Sequence, residues 1–145
     1  LLGLRREKIH LSIYTDGGSR GNPGPAAYAV IIVDEKGMIL KEFSGFIRTA
    51  TNNEAEYHGL IAALEEARRL GADEVSIFMD SELVVNQINR KYAIKASNLY
   101  PLAREVFSKL MNFKRYSLHH VNRENPMIRR ADALVNLKLD DHAKK

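Results

Sequence analysis

The chain has no cysteine in 145 residues, so disulfides and cysteine-ligated metal centres are excluded. That absence fits a reducing compartment, and a cytoplasmic location is the expectation. No apolar run reaches about 18 residues, so no membrane span or membrane partner is expected. The opening Leu1-Leu2-Gly3-Leu4 is too short for a secretory signal, and Arg5, Arg6 and Lys8 follow too soon. Residues 1–8 read as a leader, 9–141 as one domain and 142–145 as a tail. There is no internal repeat, low-complexity tract or linker. Ser12, Ser19 and Ser81 lack a histidine partner, which argues against a serine nucleophile. His10, His58, His119 and His120 show no metal-ligand spacing, so packing or surface roles are expected of them.

What is present is an ordinary globular composition, 45% apolar and 28% charged, of a length suited to one core. A net charge of +4 and a pI near 9.4 permit a phosphate-rich partner without requiring one. The most informative stretch is Tyr14-Thr15-Asp16-Gly17-Gly18-Ser19-Arg20-Gly21-Asn22-Pro23-Gly24-Pro25. A strand-like run, Ile9 to Thr15, stops on an acid and gives way to a turn rich in glycine and proline. Such a turn lacks side-chain bulk, so a substrate can approach its backbone closely.

The remaining pattern predicts strands at Ala26–Val33 and Met38–Ile47, joined by the turn Asp34-Glu35-Lys36-Gly37. Between Asn53 and Leu70 the apolar period becomes helical, with Tyr57, Leu60, Ile61, Leu64 and Ala67 on one face. Thr51, Asn52 and Asn53 offer caps, Glu54 and Glu56 suit the helix start, and Gly71 closes it. Glu65 and Arg69 are spaced to pair on the outer face. Glu74–Met79 reads as a buried strand, and Asp80-Ser81 leads into a helix ending near Asn89. A charged loop, Lys91 to Lys95, is followed by a helix from Asn98 to Met111 and a strand from Lys114 to Val121. A polar loop, Asn122 to Arg130, then precedes a last helix from Ala131 to Asp140. The order βββαβααβα implies an α/β fold with one mixed sheet, a meander beside parallel crossovers, and helices on both faces.

On that plan Asp16 and Asp80 end two strands. If those strands are parallel neighbours, both acids lie at the carboxyl edge, where open α/β sheets place their sites. A glutamate near Asn53 and Asp132 at the last helix can join them. Two like charges 4 Å apart repel by about 4 kcal/mol at an effective dielectric of 20. A marginally stable domain tolerates several such contacts only when something compensates. Oxygen-seeking divalent cations such as Mg²⁺ would do so, and a pair of them suits phosphodiester hydrolysis.

Four segments then resemble the ribonuclease H type 1 family: Tyr14 to Gly24, Thr51-Asn52-Asn53-Glu54-Ala55-Glu56-Tyr57, Asp80-Ser81-Glu82-Leu83-Val84, and Ala131-Asp132-Ala133-Leu134. The resemblance covers residues 9 to 140 and implies the ribonuclease H-like fold, a five-stranded mixed sheet. It implies an endoribonuclease that cuts the RNA strand of RNA/DNA hybrids with two divalent ions, Mg²⁺ or Mn²⁺ in its place. The ends left would be 5′-phosphate and 3′-hydroxyl. It assigns Asp16, Glu56, Asp80 and Asp132 as catalytic metal ligands, selecting Glu56 over Glu54. It places hybrid contacts on Gly17, Gly18, Asn22, Asn52, Asn53 and Glu82, with Thr51 in a phosphate pocket.

Two departures stand out. Many bacterial members insert a basic helix and loop where this chain has only Arg90 to Ser97, so it resembles the compact branch known from archaea and some bacteria. Lys91 and Lys95, with Arg90, are the candidates to compensate. A loop histidine that many members carry before the last acid falls on Glu124. A monomer is expected. The competing readings are a hybrid-binding module without catalysis, and another nuclease of this fold acting on DNA.

Overall fold

A computed structural model describes residues 7–144; most of the expected leader, residues 1–6, and Lys145 at the end of the expected tail lie outside the described residues. The elements are β1 (His10–Ser19), β2 (Gly24–Val33), β3 (Ile39–Ala50), α1 (Asn52–Arg69), β4 (Glu74–Met79), α2 (Glu82–Ile88), α3 (Tyr100–Leu110), β5 (Arg115–His120) and α4 (Pro126–Ala143). Their order is the one the periodicity predicts. The strands form one five-stranded sheet in the order β3-β2-β1-β4-β5. β1, β2 and β3 are antiparallel neighbours, while β4 runs parallel to both β1 and β5.

Alternation along each strand sends apolar side chains to two cores. Leu11, Ile13, Val30, Ile32, Val75 and Ile77 face α1, α2 and α3. Ala27, Ala29, Ile31 and Val33 face the opposite way, against Ala131, Val135 and Leu139 of α4. The alternation of β2 is the clearest, since both of its faces are buried.

α1 begins at a reciprocal cap. The Thr51 hydroxyl accepts from the Glu54 amide at 3.1 Å, and the Glu54 carboxylate accepts from the Thr51 amide at 2.8 Å. It ends at Gly71, whose φ of +85° lets its amide reach Arg68 O while the Ala72 amide reaches Ala67 O.

Three expectations are corrected. β1 does not stop at Thr15 but continues through Gly17 and Gly18, which pair with Tyr28 and Ala27 of β2. Arg69 pairs with Glu66 rather than Glu65, whose carboxylate instead takes Lys109 at 3.1 Å. α4 starts five residues before Ala131. The Asn125 side chain caps the Met127 and Ile128 amides, and Pro126 sits where a missing N–H costs nothing. Asp132 therefore lies in the second turn of α4, not at its start.

Candidate active site

The parallel ladder of β1 and β4 ends with Tyr14 opposite Phe78; two residues later come Asp16, still in β1, and Asp80, just past the end of β4. Asp16 remains paired on its other side with Ala29, so the hairpin holds its backbone where the parallel ladder has ended. Ser81 caps α2, its hydroxyl accepting from the Val84 amide at 3.3 Å, which turns the chain away just after Asp80.

Glu56 arrives from α1 because the helix crosses β1 at unusually short range. A Cβ on Gly17 would lie 2.5 Å from the Ala55 carbonyl and 2.6 Å from the Glu56 nitrogen. Only glycine allows that approach. The helix packs as tightly at Gly59, where a Cβ would meet the Thr15 hydroxyl at 2.6 Å.

Asp16, Glu56 and Asp80 each present a carboxylate oxygen, and these oxygens lie within 4.8 Å of one another. Asp132 stands outside that set on the exposed face of α4, close enough for its charge to act on Asp16. Burial, then the charges of Asp80 and Asp132, push the Asp16 carboxyl up to about 8, against an ordinary 3.8. Burial, then Asp16 and Asp80, hold Glu56 well above the usual carboxyl range. The Gly17 amide offsets part of the rise in both. One oxygen of Glu56, Oε1, is buried with no hydrogen-bond partner. Buried acceptors normally find donors. A clustered carboxylate left without one has the chemistry of a cation ligand, and the oxygen-only donor set suits a hard divalent ion. The four acids line an open cleft of about 550 Å³.

A family model described as reverse transcriptase-like matches residues 14–138. A ribonuclease HI of Halobacterium salinarum is 42% identical over 137 residues, spanning 94% of this chain and 67% of that protein. The chain belongs to the ribonuclease H type 1 family. The RNase H1 crystal structure from that archaeon superimposes with a TM-score of 0.87, at 40% identity over 91% of this chain and 98% of the other. LC11-RNase H1, solved in complex with an RNA/DNA hybrid, gives a TM-score of 0.85 at 42% identity, over 92% of this chain and 99% of that one. The bifunctional protein Rv2228c of Mycobacterium tuberculosis is also 42% identical over 129 residues, 88% of this chain, but the chain spans only 35% of its length.

In this family member the other expected contact residues divide into two groups. Gly17, Gly18 and Asn52 line the cleft. Asn52 ties the β1–β2 turn to α1: its Oδ1 accepts from the Ser19 amide at 2.7 Å, and its own amide donates to Asn22 Oδ1 at 2.9 Å. Thr51 serves the helix cap, and Asn53 is exposed beside it. Glu82 is exposed at the start of α2 and accepts from the Tyr92 hydroxyl at 3.1 Å. Lys91 and Lys95 lie exposed on the loop between α2 and α3 and are not among the cleft-lining residues. On the same loop, the Arg90 guanidinium stacks 4.5 Å above the Phe107 ring. Glu124 is exposed and does not line the cleft.

Sequence reasoning missed Arg20, His120, Asn122, Arg123 and Asn136, all of which line the cleft. His120, expected to have only a surface or packing role, pairs with Met79 at the β4–β5 ladder's end, next to Asp80. The available signal was the parallel register, which brings the end of β5 to the same edge.

Proposed function

We propose that this chain is a divalent-metal-dependent endoribonuclease that hydrolyses the RNA strand of RNA/DNA hybrids. The observation that carries the reading is the trio Asp16, Glu56 and Asp80, the first two buried and Asp80 half-buried, with one Glu56 oxygen unpartnered. Its relatives are named ribonuclease H, and one of similar fold was solved with a hybrid bound. Asp16, Glu56, Asp80 and Asp132 would hold the ions, with Mg²⁺ the expected metal and Mn²⁺ a substitute. Bound divalent cations supply the charge that activates water and stabilises the leaving oxygen of a phosphodiester.

The protein's part is to position and to exclude. β1 holds Asp16 within a paired strand, and Asp80 follows directly on β4 beside it. α1 seals the inner side of Glu56 from water. The cleft is open on its other side, with the acids among its lining residues. Gly17, Gly18 and Asn52 line the cleft, with Asn22 bonded to Asn52, and such short polar groups could meet a ribose 2′-hydroxyl. Cleavage of the P–O3′ bond leaves a 3′-hydroxyl and a 5′-phosphate. Lys91 and Lys95, with Arg90, would add phosphate contacts that give affinity without sequence preference.

The test is cleavage of labelled RNA/DNA hybrid, double-stranded RNA and double-stranded DNA, with and without Mg²⁺ or Mn²⁺. Metal-dependent cutting of the RNA strand of the hybrid is expected. Binding without cutting would make the chain a hybrid-binding module, and cutting of DNA alone would place it among the other nucleases of this fold.

A further inference from the structure

Asp132 differs from the other three acids. It is exposed, it comes from a helix packed on the far face of the sheet, and it is absent from the tight trio. Something must fix its distance from Asp16. The apolar contact of α4, through Ala131, Val135 and Leu139, faces β2 and leaves the polar stripe beside it unanchored. That stripe runs Asp132, Asn136, Asp140, one turn apart and on one side of the helix.

Arg20 reaches this stripe from the β1–β2 turn. Its Nη2 lies 2.7 Å from Asp140 Oδ1 and donates to Asn136 Oδ1 at 3.3 Å. The Asn136 amide nitrogen in turn donates to the Asp132 carbonyl at 3.0 Å. The turn that carries Arg20 is itself held rigidly. The Arg20 amide donates to Pro25 O at 2.8 Å, and the preceding Ser19 amide is bound by Asn52 of α1. A continuous chain of contacts thus links the start of α1, the end of β1 and the second turn of α4.

We infer that Arg20 is a positioning residue for Asp132: it clasps α4 to the β1–β2 turn and so sets the fourth carboxylate at the distance a second divalent cation needs. The inference rests on the two-ion reading above. An exposed ion pair contributes little to stability. Its effect here is on geometry, as with the outer groups that orient metal ligands.

Electrostatics gives the inference a sharp sign. Removing the positive Arg20 from an acidic cleft would, by charge alone, tighten cation binding, whereas removing the negative Asp140 would weaken it. The clasp predicts that both weaken it. Arg20→Gln, Asp140→Asn and the double variant should be titrated calorimetrically with Mn²⁺ while bound to a hybrid whose RNA strand carries uncleavable linkages, since substrate phosphates complete a hard cation's shell. In each, the weaker binding step should lose roughly two- to fivefold in affinity, the range an exposed pair can supply. The double variant should be no worse than the singles, because they break one interaction. At subsaturating Mn²⁺, kcat should fall by a similar factor with KM for hybrid unchanged, and Arg20→Lys should recover part of the loss. Metal-free melting temperatures should stay near that of the wild type.

Tighter Mn²⁺ binding by Arg20→Gln, or wild-type behaviour of Asp140→Asn, would overturn the inference. So would a raised KM for hybrid with unchanged Mn²⁺ affinity, which would make Arg20 a phosphate contact. If the wild type binds a single ion or none, the two-ion reading fails and the inference fails with it. Two-site binding by the wild type with unaltered variants removes the inference alone.

Discussion

Glu54 and Glu56 stand two residues apart on the first turns of one helix, yet they behave as opposites. Glu54 faces outward and accepts the Thr51 amide at 2.8 Å, an interaction that holds its carboxyl below the ordinary 4.5. Glu56 faces the sheet, has an oxygen with no donor, and is held well above that value. One is satisfied by its own helix. The other is in a place the helix cannot satisfy. Carboxylates that serve structure find partners locally, and a carboxylate denied partners marks a place where an external charge is needed.

The largest effect should come from exchanging the roles. Glu56→Gln should reduce hybrid cleavage by roughly a thousandfold, the scale of losing one strong electrostatic partner at a reacting centre. Glu54→Gln should retain most activity, since glutamine can still serve the cap. Equal losses at both positions, in a steady-state cleavage assay, would erase the distinction.

The next concerns the approach that buries Glu56. Gly17→Ala forces a Cβ against α1 backbone and should destabilise the fold by about 1–3 kcal/mol, the usual cost of overpacking. Gly18→Ala meets only Val135 at 3.7 Å and should leave the urea midpoint nearly unchanged. A tolerant Gly17 would mean that the helix is not held to the strand as tightly as the contacts require.

Titration of stability sharpens the contrast further. Asp16 keeps its proton in the folded state up to about 8, whereas the unfolded chain loses it near 3.8. Between those values the native state binds more protons, so metal-free stability should fall as pH rises. Glu54 has the opposite sign: its contribution is present above 4.5 and is lost as pH drops through its lowered folded value. Denaturant melts from pH 4 to 9 should show a decline that saturating Mg²⁺ flattens and Asp16→Asn reduces. A metal-free stability that climbs over this range would contradict the crowded acids.

The smallest effect belongs to the cap alone. Glu54→Ala should cost about 0.5–1 kcal/mol, seen as a lower melting temperature with cleavage intact.

Much of this arrangement was legible in the residues. β4 and α1 were readable because β4 is a short apolar run between turns and α1 carries both caps and a steady helical period. The four acids became visible through motifs around them. The start of α4 was hidden because Asn125 and Pro126 read equally well as loop residues, and only their position before a buried Ile128 makes them a cap. The extension of β1 was hidden for a related reason, since glycines suggest a turn until a partner strand pairs with them. Arg20, His120 and Arg123 carry no local signature. Their place on the cleft depends on which strand ends lie side by side, and that is a property of the whole sheet. Arg69 pairs with Glu66, while Glu65 pairs with Lys109 of α3, a contact that spacing along α1 could not reveal.

The ladder between β1 and β4 joins His10 to Glu74 across two strands and a long helix. Contacts so distant along the polypeptide form slowly, after local pieces have taken shape. A chain emerging during synthesis therefore carries its first acid long before it has anything to pair it with. On the proposed reading, the trio of acids can hold a cation only once the middle of the sheet has closed.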